Sequence, residues 1–356
     1  MRTGYFILLL FVFTVKFNSC QSDSSEMPQF SDDSLLLKSD MENEAFLIEM
    51  SDATELMADK AFEFRNAISC GIKGVYMYSK TIDKYKDNPE KLAARITLLG
   101  ITDVYLSVNS GTIKKSASWY RSFNKELHNN NIRVHALRLE NLNMYVDDDM
   151  ARSYTRQIID FNTSASPEER FDGISADLEP HILKPSYSNL PNGLEIFWGE
   201  DGIGKSNDLL LKRTVDILEI AKSACETLPL SQSLGFFFQK RVNDGLFQYG
   251  STADFLGQCE HVLVMAYNHK MQEIWYRANL SLEKVNHLYP NSVVIAINTK
   301  GSSDPQTTLK PKGWDYTMET LRYLSRKGSA NPAYKGICIF EYHEFEQMWE
   351  WLQDTM

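Results

Sequence analysis

Two acidic side chains stand two residues apart in segment 171–181, which has the sequence Phe-Asp-Gly-Ile-Ser-Ala-Asp-Leu-Glu-Pro-His. The apolar alternation predicts a β-strand, and the proline after Glu179 must end it. Side chains at i and i+2 share one face of a strand, so Asp177 and Glu179 should point the same way. Two carboxylates this close cannot both ionise freely. We therefore expect one raised pKa and a general acid near neutral pH.

This strand is one of eight short apolar segments in the sequence, and each of them is followed by a helical pattern. Strands this apolar have no wet face, which indicates a parallel sheet covered by helices. Eight such units close a (β/α)8 barrel, so we predict an α/β fold of the TIM-barrel class. A doubly wound open sheet is the alternative, but Ser79-Lys80-Thr81 offers no glycine-rich phosphate turn. The predicted strands are 74–79, 103–108, 133–139, 171–178, 233–238, 261–267, 293–298 and 336–340.

Barrel enzymes place their sites at the C-terminal ends of the strands. Those ends carry aromatic, amide and acidic side chains here, which suit the apolar faces and hydroxyl edges of sugar rings. The long segment 180–204 should wall one side of the cleft, with Trp198 as a sugar platform, and Trp314 could act similarly. The candidate substrate-binding residues are Tyr78, Ser175, Trp198, Gln239, Asn268, Phe340 and Glu341.

The fourth-strand motif resembles the signature Asp-Gly-x-Asp-x-Asp-x-Glu of glycoside hydrolase family 18, the chitinases and endo-β-N-acetylglucosaminidases. Asp172, Gly173, Asp177 and Glu179 match this signature, while Ser175 stands where the family has its first inner Asp. The resemblance covers most of the barrel in layout. The fourth strand is its specific part.

The sixth and eighth strands add to the resemblance. The segment Met-Ala-Tyr-Asn that ends at Asn268 is similar to the family's Met-x-Tyr-Asp motif, with Asn268 in place of Asp. Phe340 stands where the family usually has a tryptophan beneath the reactive subsite. The third-strand Ser-x-Gly-Gly pattern of the family is absent.

The resemblance implies substrate-assisted hydrolysis of glycans that contain N-acetylglucosamine. Glu179 would protonate the glycosidic oxygen and later activate water. Asp177 would orient the 2-acetamido group and stabilise the oxazolinium ion, and Tyr267 would hydrogen-bond that acetamido group. The implied partner is a carbohydrate, and no cofactor is required.

Two other interpretations of the carboxylates remain open. Glu341 could face Glu179 across the barrel as the base of an inverting pair, for which a separation of roughly 6.5–9.5 Å is usual. Strand alternation opposes this, because Phe340 and Glu341 should face opposite ways. The pair could instead be a structural ion cluster with Arg138 or Lys240.

Two further hypotheses concern what the site does. A mononuclear metal site could be built from His135, Asp177 and His181, although the seven histidines show no metal-ligand spacing and we predict no metal. Because Ser175 and Asn268 lack the charge of the family's aspartates, the barrel could also be a catalytically inactive protein that binds glycans at a cell surface.

The N-terminal segment predicts export. An apolar run at 5–15 follows Arg2 and is too short to span a bilayer, which is typical of a signal peptide over 1–19. Cys20 follows a small residue, as at a bacterial lipoprotein processing site, so we expect a lipid anchor that holds the chain to a membrane at the cell envelope or surface. Simple secretion is the alternative. Segment 20–38 is predicted to be a flexible tether, 39–73 a helical extension, and 74–356 the barrel.

Composition excludes several other classes. The chain has 37 basic and 47 acidic residues and a net charge of −10, which does not favour nucleic-acid binding. Its five cysteines form no Cys-x-x-Cys pair, which argues against zinc ribbons and thioredoxin-like chemistry. We expect buried free thiols, with a Cys70–Cys338 disulfide as the alternative.

Overall fold

The computed structural model describes residues 57–183, 208–225 and 227–350. All of them belong to one compact unit, Ala53–Met356. Within these ranges no helix combines the length and apolar character needed to cross a membrane. The predicted signal peptide and tether, Cys20 and Trp198 lie outside the described residues, so the expectations for them stay predictions.

The core of the fold is a closed barrel of eight parallel strands. Each strand pairs with the next along the chain, and the eighth pairs with the first. The predicted α/β fold of the TIM-barrel class is therefore confirmed. The strands are β1 (Ile72–Met77), β2 (Asp103–Ser107), β3 (Arg133–Leu139), β4 (Gly173–Ala176), β5 (Leu230–Gly235), β6 (His261–Met265), β7 (Val293–Asn298) and β8 (Tyr334–Phe340).

Helices cover the outside of the barrel and carry clear local signals. Helix α3, for example, has a proline in its first turn, an Asn88 side chain that accepts from the Lys91 N–H, and Gly100 in the left-handed conformation at its end. The helices are α1 (57–67), α2 (Ser79–Lys84), α3 (Pro89–Leu99), α4 (Ser110–Lys115), α5 (Ala117–His128), α6 (Asp148–Thr163), α7 (Asp208–Cys225), α8 (Phe236–Asn243), α9 (Thr252–Leu256), α10 (Met271–Val285), α11 (Gly313–Gly328) and α12 (Tyr342–Glu350).

Helix α1 packs against α11 and α12. The rings of Phe64 and Phe345 lie 5.2 Å apart, and the indole N–H of Trp314 donates to Glu63 at 2.8 Å. The Lys60 ammonium donates to two main-chain carbonyls near the end of α12. Trp314 is therefore buried beneath α1, and the expectation that it is a sugar platform is corrected.

The seam between β8 and β1 requires a glycine. Gly336 pairs with Ile72 and has a φ of 144°, and a Cβ placed there would lie 2.2 Å from the Ile72 carbonyl oxygen. No side chain fits this close approach of two backbones. The last strand can therefore close the barrel only with glycine at this position.

A polar network fills the N-terminal end of the barrel interior. The imidazole of His135 lies 3.0 Å from the Asp103 carboxylate, which Arg133 also approaches to 2.8 Å. The Tyr105 hydroxyl lies 2.8 Å from Nε2 of His261. These side chains occupy the first residues of β2, β3 and β6, far from the predicted site at the other end.

An uncharged layer lies above this network. Ser231 donates to Ser175 at 3.0 Å, and both are buried beside the interior leucines Leu137 and Leu263. Cys338 is buried in the same interior cluster, whereas Cys70 is exposed, and both are free thiols. The alternative of a Cys70–Cys338 disulfide is therefore wrong.

Two predicted elements are displaced along the chain. Strand β5 ends at Gly235, and Phe236 already begins helix α8, because the polar side chains of β5 bond inside the barrel and hide its strand pattern. Ser231 bonds to Ser175, and Ser233 to the Tyr76 hydroxyl at 2.7 Å. The sequence also has a helical pattern at 282–289, but the helix there is α10, which begins eleven residues earlier at Met271.

Candidate active site

Asp177 and Glu179 directly follow β4 at the C-terminal end of the barrel. The N–H of Asp177 donates to the Leu139 carbonyl at 2.9 Å, so pairing with β3 continues past the last residue of β4. Pro180 then begins a short 3-10 turn, Pro180–Ile182. The Glu179 side chain is 25% exposed. Both carboxyls are therefore held on ordered backbone, and Glu179 remains open to a substrate.

The environment favours the protonated forms of both carboxyls. Burial raises the pKa of Asp177, and a hydrogen bond with Ser233 opposes the rise. Burial also raises the pKa of Glu179, and repulsion from Asp177 raises it further. In the part of the chain that the structure describes, neither carboxyl forms an ion pair with lysine or arginine. Glu179 can therefore hold a proton near neutral pH, as a general acid must.

The two cations of the ion-cluster hypothesis have other partners. The Arg138 guanidinium lies 3.4 Å from the centre of the Tyr154 ring and donates to Gln157 at 3.1 Å. Lys240 pairs with Asp244 at 2.7 Å, one helical turn along α8. These contacts argue against a structural role for the acid pair.

His181 is the basic group beside Glu179, with Nε2 of the ring 3.5 Å from Oε1 of the carboxyl. Its ring packs edge-on against Phe237, with centroids 4.9 Å apart. Burial lowers the pKa of His181 to about 4, so it is uncharged at neutral pH and does not hold Glu179 in its ionised form.

The metal-site hypothesis fails on position. His135 lies at the opposite end of the barrel, bonded to Asp103, and cannot join Asp177 and His181. Across the described ranges, no group of three or more His, Cys, Asp or Glu side chains is arranged to hold a metal ion.

Four aromatic rings form a floor next to the acid pair. Phe340 lies at its centre, stacked on Tyr267 at 5.6 Å between ring centroids and meeting the edges of Tyr78 at 5.8 Å and Tyr76 at 5.9 Å. The Lys300 ammonium lies 5.4 Å from the Phe340 centroid. This floor brings together strand ends β1, β6 and β8, as expected for a surface that holds a sugar ring.

Tyr267 joins the floor to the acid pair. Burial raises its pKa well above the usual value, and the nearby charges of Asp177 and Glu179 raise it further. Its hydroxyl therefore keeps its proton and can donate a hydrogen bond to a substrate beside the two carboxyls. The structure thus brings Asp177, Glu179, Tyr267, Tyr78 and Phe340 together.

Three residues predicted to contact the substrate have their polar side-chain atoms bonded within the protein. Ser175 is fully buried and bonded to Ser231, so it supports the strand but offers no surface to a substrate. Gln239 is 1% exposed in helix α8, with both ends of its amide bonded within the protein. The Asn268 carbonyl accepts from the Lys270 N–H and shapes the turn after β6. The expectation of substrate contact is corrected for Ser175 and Gln239.

Glu341 does not face Glu179. Phe340 points into the barrel, and Glu341 is 2% exposed, with burial raising its pKa and the charges of Lys300 and His343 opposing the rise. Those basic groups follow β7 and β8, and the Lys300 ammonium lies over the Phe340 ring. The predicted substrate contact is therefore corrected for Glu341, and the inverting pair lacks its second carboxyl.

Glu140 is the site residue that sequence analysis left out. It follows β3, accepts a hydrogen bond from Ser107 at 3.4 Å, and has its pKa raised to about 7 by burial and then by the charge of Asp177. Its place after a strand was visible in the sequence. Its direction was not, because that depends on how β3 pairs with β4.

Solved structures that align with the chain are low in sequence identity. They include a GH18 chitinase from Cycas revoluta in complex with (GlcNAc)3, at 11% identity over 79% of this chain and 98% of that chain, with a TM-score of 0.49. A beta-mannanase from the blue mussel Mytilus edulis aligns at 10% identity, over 80% of this chain and 91% of that chain, with a TM-score of 0.46.

A GH18 chitinase from Pseudoalteromonas aurantia aligns at 9% identity, over 78% of this chain and 97% of that chain, with a TM-score of 0.40. No family model matches the sequence, and no curated protein matches it. Similarity at this level concerns the arrangement of the barrel and identifies no substrate. The chemistry has to be inferred from the site.

Proposed function

We propose that this protein is a glycoside hydrolase that cleaves glycans containing N-acetylglucosamine, with Glu179 as the acid and base. The observation that carries the proposal is a raised-pKa glutamate beside Asp177, with a neutral tyrosine and an aromatic floor at one barrel mouth. Such a floor suits the apolar face of a sugar ring. The carboxyls then lie where the glycosidic oxygen and the 2-substituent would be.

The first step breaks the glycosidic bond. Glu179 transfers its proton to the leaving oxygen as the carbonyl oxygen of the substrate's acetamido group attacks the anomeric carbon. Ionised Asp177 accepts a hydrogen bond from the acetamido N–H and balances the positive charge of the oxazolinium ion. The Tyr267 hydroxyl donates to the acetamido group before it attacks, and so orients it.

The second step returns the enzyme to its starting state. Glu179, now a carboxylate, takes a proton from water, and the resulting hydroxide opens the oxazolinium ring with retention at the anomeric carbon. No enzymic nucleophile is needed. The burial of Glu341, which is 2% exposed, supports this scheme over an inverting pair.

The test compares wild type with Glu179→Gln on chromogenic N-acetylglucosaminides, chitooligosaccharides and high-mannose glycoproteins. Glutamine keeps the shape of the side chain but has no proton to transfer, so we expect kcat to fall by roughly 10²–10⁴ while glycan affinity changes little. Glu319→Gln, an exposed change on α11, is the matched control for charge.

A glycan-binding barrel without turnover is the second candidate. The uncharged Ser175 and the turned-in Asn268 favour it, because neither supplies charge to the mouth. Binding of the same glycans with no Glu179-dependent hydrolysis would select this candidate and sink the enzyme proposal. We also propose, from segment 1–20 alone, that the chain is exported and lipid-anchored through Cys20.

A further inference from the structure

A β-bulge in β3 turns Glu140 toward the acid pair. Leu137 pairs with Ser175, but Leu139 pairs with Ala176, so Arg138 is an extra residue on this strand. Leu137 belongs to the barrel interior and Leu139 to the outer core under the helices. Without the bulge, alternation would have pointed Glu140 away from the interior. Bulges next to active sites commonly re-aim a side chain in this way.

The same bulge brings Glu140 level with Asp177. Leu139 pairs with Ala176, so the next residue on each strand stands side by side, at a spacing of about 4.8 Å between neighbouring strands. Glu179 lies two residues beyond Asp177 on the same face. Asp177 is therefore the middle carboxyl of three, and the electrostatics agree: Asp177 raises the pKa of both Glu140 and Glu179.

Among the described residues that interact with these three carboxyls, the titratable groups other than Arg138 are uncharged near neutral pH. Burial raises the pKa of each neighbouring tyrosine and lowers that of His181 to about 4. Arg138 itself lies over Tyr154. The tyrosines are Tyr76 and Tyr78 at the end of β1, Tyr145 after β3 and Tyr267 after β6. His181 follows β4, and the charge of Arg138 partly opposes the rise in the pKa of Glu140.

We propose that Glu140 is a third carboxyl of the acid site and acts as a positioning residue. Glu140 determines which of the three carboxyls carry protons, so that only the middle one, Asp177, is ionised in the active form. This inference deepens the proposed function and rests on it. Glu140 itself touches no reacting atom.

Repulsion between neighbours explains the preferred proton arrangement. When the three groups carry one charge, Asp177 is the best place for it, because Ser233 bonds to it and protonated neighbours stand on both sides. When they carry two charges, repulsion is least with Glu140 and Glu179 ionised and the proton on Asp177. That second arrangement is inactive, since Glu179 has lost its proton and Asp177 its charge.

As the pH rises, activity is therefore lost at a lower pH with Glu140 present than it would be with the Asp177–Glu179 pair alone. In Glu140→Gln the end position is permanently neutral, and two charges can only lie next to each other on Asp177 and Glu179. That arrangement costs more, so the alkaline limb of the kcat/KM profile should move up by about one pH unit. Glutamine matches the size and neutrality of protonated Glu140, so we expect kcat at pH 5.5 to fall less in Glu140→Gln than in Glu140→Leu.

The kinetic experiment measures kcat/KM from pH 4 to 10 for wild type, Glu140→Gln, Glu140→Leu and the control Glu319→Gln. Leucine puts an apolar group beside Asp177 in place of a polar one, so we expect it to lower kcat by about tenfold with little change in KM. An unmoved alkaline limb in Glu140→Gln overturns the proposal. So does loss of all activity in Glu140→Gln, which would make Glu140 part of the chemistry.

A second readout does not depend on finding a substrate. Carbon-13 NMR of labelled aspartate and glutamate side chains follows each carboxyl, with Asp177 assigned through Asp177→Asn. In wild type we expect Asp177 to lose its proton at low pH and to regain one as Glu140 and Glu179 ionise, whereas Glu140→Gln should remove the reversal. If the reversal occurs but no glycan is cleaved, the proton arrangement stands and only the proposed function fails. A simple single titration of Asp177 in wild type overturns the arrangement.

Discussion

Some side chains of the candidate site contribute an apolar surface, and others contribute polar or charged groups. Tyr267 contributes both, because its ring stacks on Phe340 while its hydroxyl lies near Asp177 and Glu179. Phe340 contributes only an apolar face. In the proposed mechanism, the Tyr267 hydroxyl directs the acetamido group, while the two stacked rings only hold the sugar ring.

Tyr267→Phe tests this division, because it keeps the ring and removes only the hydroxyl. We expect kcat on N-acetylglucosaminides to fall by about 10–100-fold, as one preorganised donor is lost near the developing charge. Binding should change little, since the stack on Phe340 remains. Steady-state kinetics on substrates with and without the acetamido group provide the check. An equal loss on both kinds would show that the hydroxyl does not act through the acetamido group.

At the scale of strands and helices, sequence patterns predicted the barrel and half of the site. Apolar segments predicted the number and order of the strands, with β5 three residues too late, and Asp177 and Glu179 follow β4 at the expected end of the barrel. Pairing between strands could not be predicted, because it depends on contacts distant in sequence. The bulge that directs Glu140 inward and the polar interior of β5, which buries Ser175, both arise from such contacts.

The closing seam of the barrel gives a prediction about stability. In Gly336→Ala the new Cβ meets the backbone of Ile72, whereas in Gly245→Ala it meets nothing within 4 Å, although both positions have positive φ. Gly245→Ala should cost about 1–2 kcal/mol of unfolding free energy through backbone strain. Gly336→Ala adds a steric clash with the backbone to this strain, so it should lower the free energy of unfolding by more than about 3 kcal/mol in total. Urea unfolding of both variants measures the difference, and equal losses would mean that the seam relaxes freely.

Across the whole molecule, two titratable centres lie at opposite ends of one interior. The lower one is balanced, with Asp103 paired to Arg133 at 2.8 Å and Glu260 to Lys335 at 3.0 Å. The upper one contains carboxyls without such cations among the described residues. Gly173 lies at the level of the lower centre and Asp177 at the level of the upper one. These residues are four positions apart along the chain, so the two centres are separated by about 13 Å.

The lower centre predicts how stability depends on pH. Burial lowers the pKa of His261 to about 4, below the value of about 6.5 for an unfolded chain. The folded state therefore binds fewer protons, and this contribution of roughly 3 kcal/mol is present above pH 6.5 and lost as pH falls toward 4.

The test is urea unfolding of wild type and His261→Gln at several pH values between 4 and 7. We expect the variant to be less stable at pH 7, because the Tyr105 hydroxyl loses its partner, but to lose stability less steeply as the pH falls. His287→Gln, at an exposed position just after α10, is the control and should keep the wild-type slope. The same slope in His261→Gln as in wild type would contradict the assignment.

The serine pair and the leucines add no charge of their own, and they keep the two centres about 13 Å apart. Ser175 and Ser231 share a hydrogen bond yet carry no charge, and the leucines around them have nothing to ionise. Changing His261 therefore alters the pH dependence of stability at a position distant from the acid pair. Selection or engineering for acid tolerance can act on His261 while leaving the proton balance around Glu179 untouched.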